Sequence, residues 1–323
     1  MPVRVLRSLF LAVLIALPAV SGADGVAPHK YSAAVTVPAP SDAALSLTVN
    51  SDLVEIPVTV TNKADQVVEH LDKEVFSVYE NGVPQTIAHF ETGEAPISAC
   101  VIFDASGSMR DKLHRSIEAV QQLLNAAISD DEYCLVRFSN QAELAVRMSN
   151  GPTGVAAAMN RVYAEGFTAL LDAIYAGMQE VNRGHNRRKA IILISDGGDN
   201  RSLHTRQEIK QLVRETDAQI YSIGIITPES LLVQPEEIAG PSLMENISHQ
   251  SGGRLFRIHK SHDLPSAISK ITVALRHQYI LGYYSADTRH DGKYRRVTVK
   301  LNVPKTTSGL RAYWRTGYFA PNE

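Results

Sequence analysis

This 323-residue chain has two cysteines, one tryptophan and no large excess of either charge sign. Two cysteines are too few for a disulfide-built scaffold. A formal charge of −2 provides no basic footprint for nucleic acid and no polybasic patch for a membrane surface. The eleven histidines are scattered, without an HExxH pair. His259 and His262 lie three apart in a polar stretch and read as surface residues. No GxSxG elbow and no phosphate-binding glycine loop is present. What remains is an ordinary globular composition, 44% hydrophobic and 20% charged.

The apolar run from Leu9 to about Val20 follows Arg4 and Arg7 and precedes Ser21, Gly22 and Ala23. That is the pattern of a secretory signal, assigned to residues 1–23. The chain is therefore expected to be exported, to the periplasm, the cell envelope or the medium. An uncleaved anchor is the alternative, and the only membrane association expected. Residues 24–44, rich in Ala, Pro, Ser and Asp, read as a flexible linker.

Residues 45–94 have the period-two alternation of antiparallel strands, as in Val54, Ile56, Val58 and Val60. Asn81-Gly82 between two such runs is a hairpin signal. From 95 to 275 the pattern changes. Continuous apolar runs (Ala99–Phe103, Tyr133–Phe138, Ala190–Ile194, Ile220–Ile226, Leu255–Ile258) alternate with amphipathic helices. One helix carries Leu113, Ile117, Val120, Leu124 and Ile128, and another Leu170, Ile174, Met178 and Val181. Two more open on the capping boxes Thr205…Glu208 and Ser242…Glu245, the second closing at Gly252-Gly253. This alternation predicts an α/β fold with a doubly wound, mostly parallel sheet. Residues 276–323 return to β character, with strands over Gln278–Ser285, Tyr294–Val303 and Leu310–Phe319 and a turn at Asp291-Gly292. Neither terminal β segment is large enough to bury a core, so the two are expected to pair into one small β-sandwich with the α/β domain inserted between them. The aromatic residues Tyr279, Tyr283, Tyr284, Tyr313, Trp314, Tyr318 and Phe319 are assigned to its core and rim. Cys100 and Cys134 fall inside apolar strand-like runs and read as buried free thiols, with a disulfide as the alternative. The basic run Arg183 to Lys189 reads as a solvated loop, with contact to an acidic partner as the other reading.

Asp104-Ala105-Ser106-Gly107-Ser108 places a carboxylate and two hydroxyls where a buried strand gives way to a helix, the edge at which open α/β sheets bind ligands. Thr168 sits where a loop meets the next amphipathic helix, and Asp196 ends a second buried strand. Taken singly, each has a bland reading as a helix cap or turn. Taken together they make an all-oxygen donor set suited to a hard divalent cation.

The order DxSxS, loop threonine, strand–Asp-Gly resembles the von Willebrand factor A-type domain and its metal-ion-dependent adhesion site. The flanking stretches Glu74 to Gln85, Gln278 to Tyr284 and Arg315 to Phe319 resemble those of exported bacterial proteins of this type. The resemblance implies a metal site at Asp104, Ser106, Ser108, Thr168 and Asp196, holding Mg²⁺ (or Mn²⁺ or Ca²⁺). It implies a non-enzymatic interaction or adhesion module that grips an exposed Asp or Glu on a protein partner. Phe167 departs from the pattern, since many relatives have glycine before the threonine. Two rivals stand beside this reading. One is a Mg²⁺-dependent phosphate-ester hydrolase, for which only Asp196 and Asp199 are candidate bases. The other is an envelope scaffold in which the ion braces loops. No small-molecule substrate and no nucleic acid are expected.

Overall fold

The computed structural model describes residues 53–226, 235–303 and 309–322, with side chains within the helix at 235–251 described from 240 onward. The signal, linker and partial strand assigned to 1–52 lie outside the described residues.

The centre of the chain is a six-stranded sheet in the order β10-β9-β8-β5-β6-β7. Its strands are β5 (Ile97–Asp104), β6 (Glu132–Phe138), β7 (Ala142–Asn150), β8 (Arg188–Ser195), β9 (Gln219–Ile225) and β10 (Leu255–Ile258). All pair in parallel except β7, which runs antiparallel along β6 and closes one edge. All eight residues of β5 are buried, as expected of a strand covered on both faces. Successive side chains of a strand point to opposite faces. Thus Ala99, Val101 and Phe103 enter one core with helices α1 (Leu113–Asn125), α2 (Thr153–Met159) and α6 (Leu264–Arg276). Cys100 and Ile102 enter the other, with α3 (Leu170–Val181), α4 (Arg206–Glu215) and α5 (Pro235–Ser251).

The two ends of the described chain interleave. The first sandwich sheet has the order β13-β1-β11-β4 and the second β14-β12-β2-β3. Its N-terminal members are β1 (Leu53–Thr61), β2 (Phe76–Glu80), β3 (Val83–Gln85) and β4 (Ile87–Glu91). Its C-terminal members are β11 (Tyr279–Tyr284), β12 (Tyr294–Leu301), β13 (Arg311–Trp314) and β14 (Gly317–Phe319). Ile56, Val58, Phe76, Val78, Tyr279, Leu281, Tyr283, Val297 and Val299 share one core between them. The expected fold class, a parallel α/β sheet inserted into a small sandwich, is borne out. So is the hairpin: Asn81 and Gly82 both take positive φ, 48° and 85°, as a two-residue turn of this hand requires.

Four expectations are corrected. Cys100 and Cys134 are not free thiols; they form a disulfide. Their runs are neighbouring strands in direct register, which sets the two Cα atoms 4.5 Å apart. Ser242 does not cap a helix, because α5 begins at Pro235 and carries Pro241 in its interior. The capping box at Thr205 and Glu208 is formed. The segment Leu310–Phe319 is two strands, not one, broken at Arg315-Thr316 and shared between the two sandwich sheets. The basic run is not merely solvated. Arg187 reaches Glu55 of β1 and Glu91 of β4, and the buried Arg188 donates to the carbonyls of Arg276 and Gly93. Both tie the central sheet to its flanks.

Candidate metal centre

Asp104 is the last residue of β5 and Asp196 directly follows β8, the strand hydrogen-bonded beside it. Parallel neighbours end on the same side of a sheet, so two carboxylates 92 positions apart meet at its carboxyl edge. Asp104 is wholly buried and accepts bonds from the Ser106 amide (2.9 Å) and the Ser195 hydroxyl (2.5 Å). Ser195 also accepts from the Gly197 amide at 3.0 Å, so it fixes both the carboxylate and the turn that carries Asp196.

The hydroxyls complete a chain of oxygens. Ser106 and Ser108 lie 3.1 Å apart through their Oγ atoms, and Ser108 Oγ donates to Asp196 Oδ1 at 3.0 Å. Ser106 is buried while Ser108 faces solvent. The second oxygen of Asp196 accepts from Lys112 Nζ at 2.7 Å. Burial pushes the Asp104 carboxyl up, the neighbouring charge of Asp196 pushes it further, and the bonds from Ser106 and Ser195 offset only part of this, leaving it at about 7. The two buried carboxylates thus repel each other, and Lys112 supplies the positive charge beside Asp196.

Thr168 is brought to the same edge by its backbone. The Gly107 amide donates to Gly166 O at 3.0 Å, and Gly107 approaches so closely that a Cβ there would lie 3.2 Å from that oxygen. The Thr168 amide donates to Asn200 Oδ1 (2.9 Å), and its carbonyl accepts from the amides of Asn200 and Arg201. Its hydroxyl is engaged by no side chain or backbone group among the described residues, so it is free to serve as a ligand. Asp104, Ser106, Ser108 and Asp196 are therefore linked by hydrogen bonds, and Thr168 joins them through its loop. The turn after Asp196 is equally tight. Gly197 has φ +106°, and the backbone of α5 at Gly240 leaves no room for a Cβ against Gly197 O.

The donor set, two carboxylates and three hydroxyls, fits a hard divalent ion. Among the described residues no group of three or more His, Cys, Asp and Glu side chains is placed to hold a metal, so the hydroxyls are essential to any such site. Two participants escape a reading of the sequence. Ser195 looks like the last residue of an apolar strand. Lys112 looks like an ordinary charge before a helix.

Residues 100–198 match the von Willebrand factor type A domain family, a stretch that contains all five residues. The resemblance read from the motifs is thus borne out for this part of the chain. An uncharacterized protein of Synechocystis sp. is 31% identical over 114 residues, 32% of this chain and 27% of that protein. The chain thus matches about a quarter of that relative's length. Proximal thread matrix protein 1 from mussel byssus aligns with a TM-score of 0.49 at 16% identity, covering 61% of this chain and 51% of that one. A von Willebrand factor type A protein from Catenulispora acidiphila aligns at 0.46 and 13% identity, covering 84% and 74%.

Proposed function

We propose that this chain is an exported, non-enzymatic interaction module that grips an acidic side chain of a partner protein through a divalent ion. Asp104, Ser106, Ser108, Thr168 and Asp196 would hold the ion. When bound, Mg²⁺, Mn²⁺ or Ca²⁺ supplies a positive centre with a coordination position left for a partner's Asp or Glu. The observation that carries the reading is the convergence of Asp104 and Asp196, from two parallel strands, around a chain of serine hydroxyls. With the hydroxyls bound directly and a carboxylate acting through water, the ion would keep much of its charge, which favours an incoming carboxylate.

Export is supported by the signal-like pattern at 1–23 and by the Cys100–Cys134 disulfide, a bond that persists in oxidising compartments. Among the described residues no helix is long and apolar enough to cross a membrane.

The test is direct. Mn²⁺ binding followed by electron paramagnetic resonance should be saturable in the native protein and weakened by at least tenfold in Asp104→Ala, with the far-ultraviolet circular dichroism unchanged. Envelope proteins retained on the immobilised chain in Mg²⁺ should elute with EDTA. Mn²⁺ affinity equal in the two proteins, or retention indifferent to EDTA, would overturn the reading.

A further inference from the structure

Nine large hydrophobic side chains are exposed among the described residues, and the three most exposed are Leu203 (91%), Tyr163 (63%) and Phe167 (58%). Scattered singly, exposed apolar residues need no explanation. All three lie on loops tied by backbone hydrogen bonds to the metal centre, or next to one of its residues. Phe167 precedes Thr168. Tyr163 lies two residues before Glu165, whose amide donates to Ala105 O between Asp104 and Ser106 (2.9 Å). Leu203 lies on the loop whose Asn200 and Arg201 amides grip Thr168.

Nor are they loose. The Leu203 amide donates to both oxygens of Asp172 (3.1 and 3.0 Å) and the His204 amide to one of them (2.9 Å). The His204 ring pairs with the same carboxylate at 2.7 Å and stacks on Tyr175 with centroids 4.1 Å apart. Loop 199–204 is thus clamped to the start of α3 while the leucine side chain stands in water. The Phe167 amide is held by Asn140 Oδ1 at 3.0 Å. Arg201 lies over the Phe167 ring, 5.8 Å from its centroid, and its guanidinium has no carboxylate partner among the described residues. A fixed backbone that holds apolar groups and an unpaired cation out to solvent has already lost the entropy that binding would otherwise cost.

We propose that Tyr163, Phe167 and Leu203 form an apolar rim beside the metal centre, with Arg201 as a second positive point. Together they select a partner loop in which an apolar side chain adjoins the metal-bound Asp or Glu and a second carboxylate follows. The proposal rests on the metal-dependent reading above and specifies the partner of the same site. Charge decides the class of occupant: a bound divalent ion and Arg201 would set two positive points at the rim against the exposed carboxylate of Glu165, so the segment that covers it is acidic as well as apolar. Phe167, which departs from the family pattern, acquires a role as a specificity residue.

The experiment is a displayed library of cyclic peptides with one fixed central Asp and randomised flanks, panned against the immobilised full chain in Mg²⁺ and eluted with EDTA. Recovered peptides should carry Phe, Leu, Ile, Val or Met beside the fixed Asp and a second Asp or Glu. A synthetic peptide of that consensus should bind Phe167→Ser/Leu203→Ser at least tenfold more weakly, with Mn²⁺ affinity and melting temperature unchanged. Arg201→Gln should lose the preference for the second acid. Recovered peptides with polar flanks, or equal binding by the double variant, would overturn the rim and leave the metal reading standing. Recovery of no EDTA-sensitive peptide would overturn both.

Discussion

Lys112 donates to Asp196 across 2.7 Å, with only 12% and 6% of the two side chains exposed. The lysine is the residue before α1 but makes no side-chain capping bond to it, and the helix dipole disfavours a cation there. Its position is therefore set by the Asp196 carboxylate and not by the helix. The ammonium occupies one oxygen of a ligand that the divalent ion would need, so the two cations compete. Lys112→Met should bind Mn²⁺ about tenfold more tightly, since a unit charge beside a divalent ion repels it even when its flexible stem can swing aside. The metal-free protein should be less stable by about 1–3 kcal/mol, because the buried Asp196 carboxylate loses its counter-charge. Titration by electron paramagnetic resonance and thermal melts in chelator check the two signs.

The Cys100–Cys134 bond closes a separation of 34 residues, and its two half-cystines are fully buried. Constraining a loop of that length in the unfolded chain is worth about 3–4 kcal/mol. Urea unfolding with dithiothreitol present should show that loss. In native buffer the same reductant should act only at the rate at which this part of the sheet opens. Rapid reduction of the folded protein would contradict the burial.

Glu132 sits at the start of β6 beneath loop 184–186. Burial alone would raise its carboxyl, but bonds from Ser98 Oγ (2.5 Å), the His185 amide (2.7 Å) and the His185 ring (2.7 Å) outweigh burial and hold it at about 2. A depressed carboxyl binds fewer protons folded than unfolded. Its contribution is therefore complete above about pH 4.5 and is lost as pH falls from there to about 2. Glu132→Gln should be less stable than the native protein by on the order of 2–3 kcal/mol at pH 7. The difference should shrink steadily between pH 4.5 and 2, as followed by urea midpoints.

Neighbouring arginines should differ sharply. The Arg187 side chain is 60% exposed, and its pairs with Glu55 and Glu91 are screened by water. Arg187→Ala should lower stability by less than about 1 kcal/mol. Arg188→Met leaves the carbonyls of Arg276 and Gly93 without their buried donor and should lower it by about 2–4 kcal/mol. Urea unfolding of both variants decides whether the clasp between sandwich and central sheet depends on burial or on charge.

Periodicity made much of this legible in the sequence. Continuous apolar runs marked β5, β6, β8, β9 and β10, Asn81-Gly82 marked a hairpin, and Thr205 with Glu208 marked a helix start, because each is a local chemical preference. The edge strand β7 and the short helix α2 left no such mark. β7 is half-exposed, with a mixed pattern, and α2 spans only seven residues. The break at Arg315-Thr316 was equally hidden, since both of its strands are β-like and only their partners differ.

The amino-acid order by itself determined which side chains were available: two carboxylates at strand ends, hydroxyls two residues apart, a loop threonine. It also fixed the alternation that builds a parallel sheet. Register and proximity belonged to the tertiary structure. Only the pairing of β5 with β6 set Cys100 against Cys134, and only its pairing with β8 set Asp104 near Asp196. Only packing at that edge turned Lys112 and Ser195 toward those carboxylates. The reason is physical: side-chain chemistry is local to a residue, whereas an electrostatic field at one point is summed over strands and loops far apart along the chain.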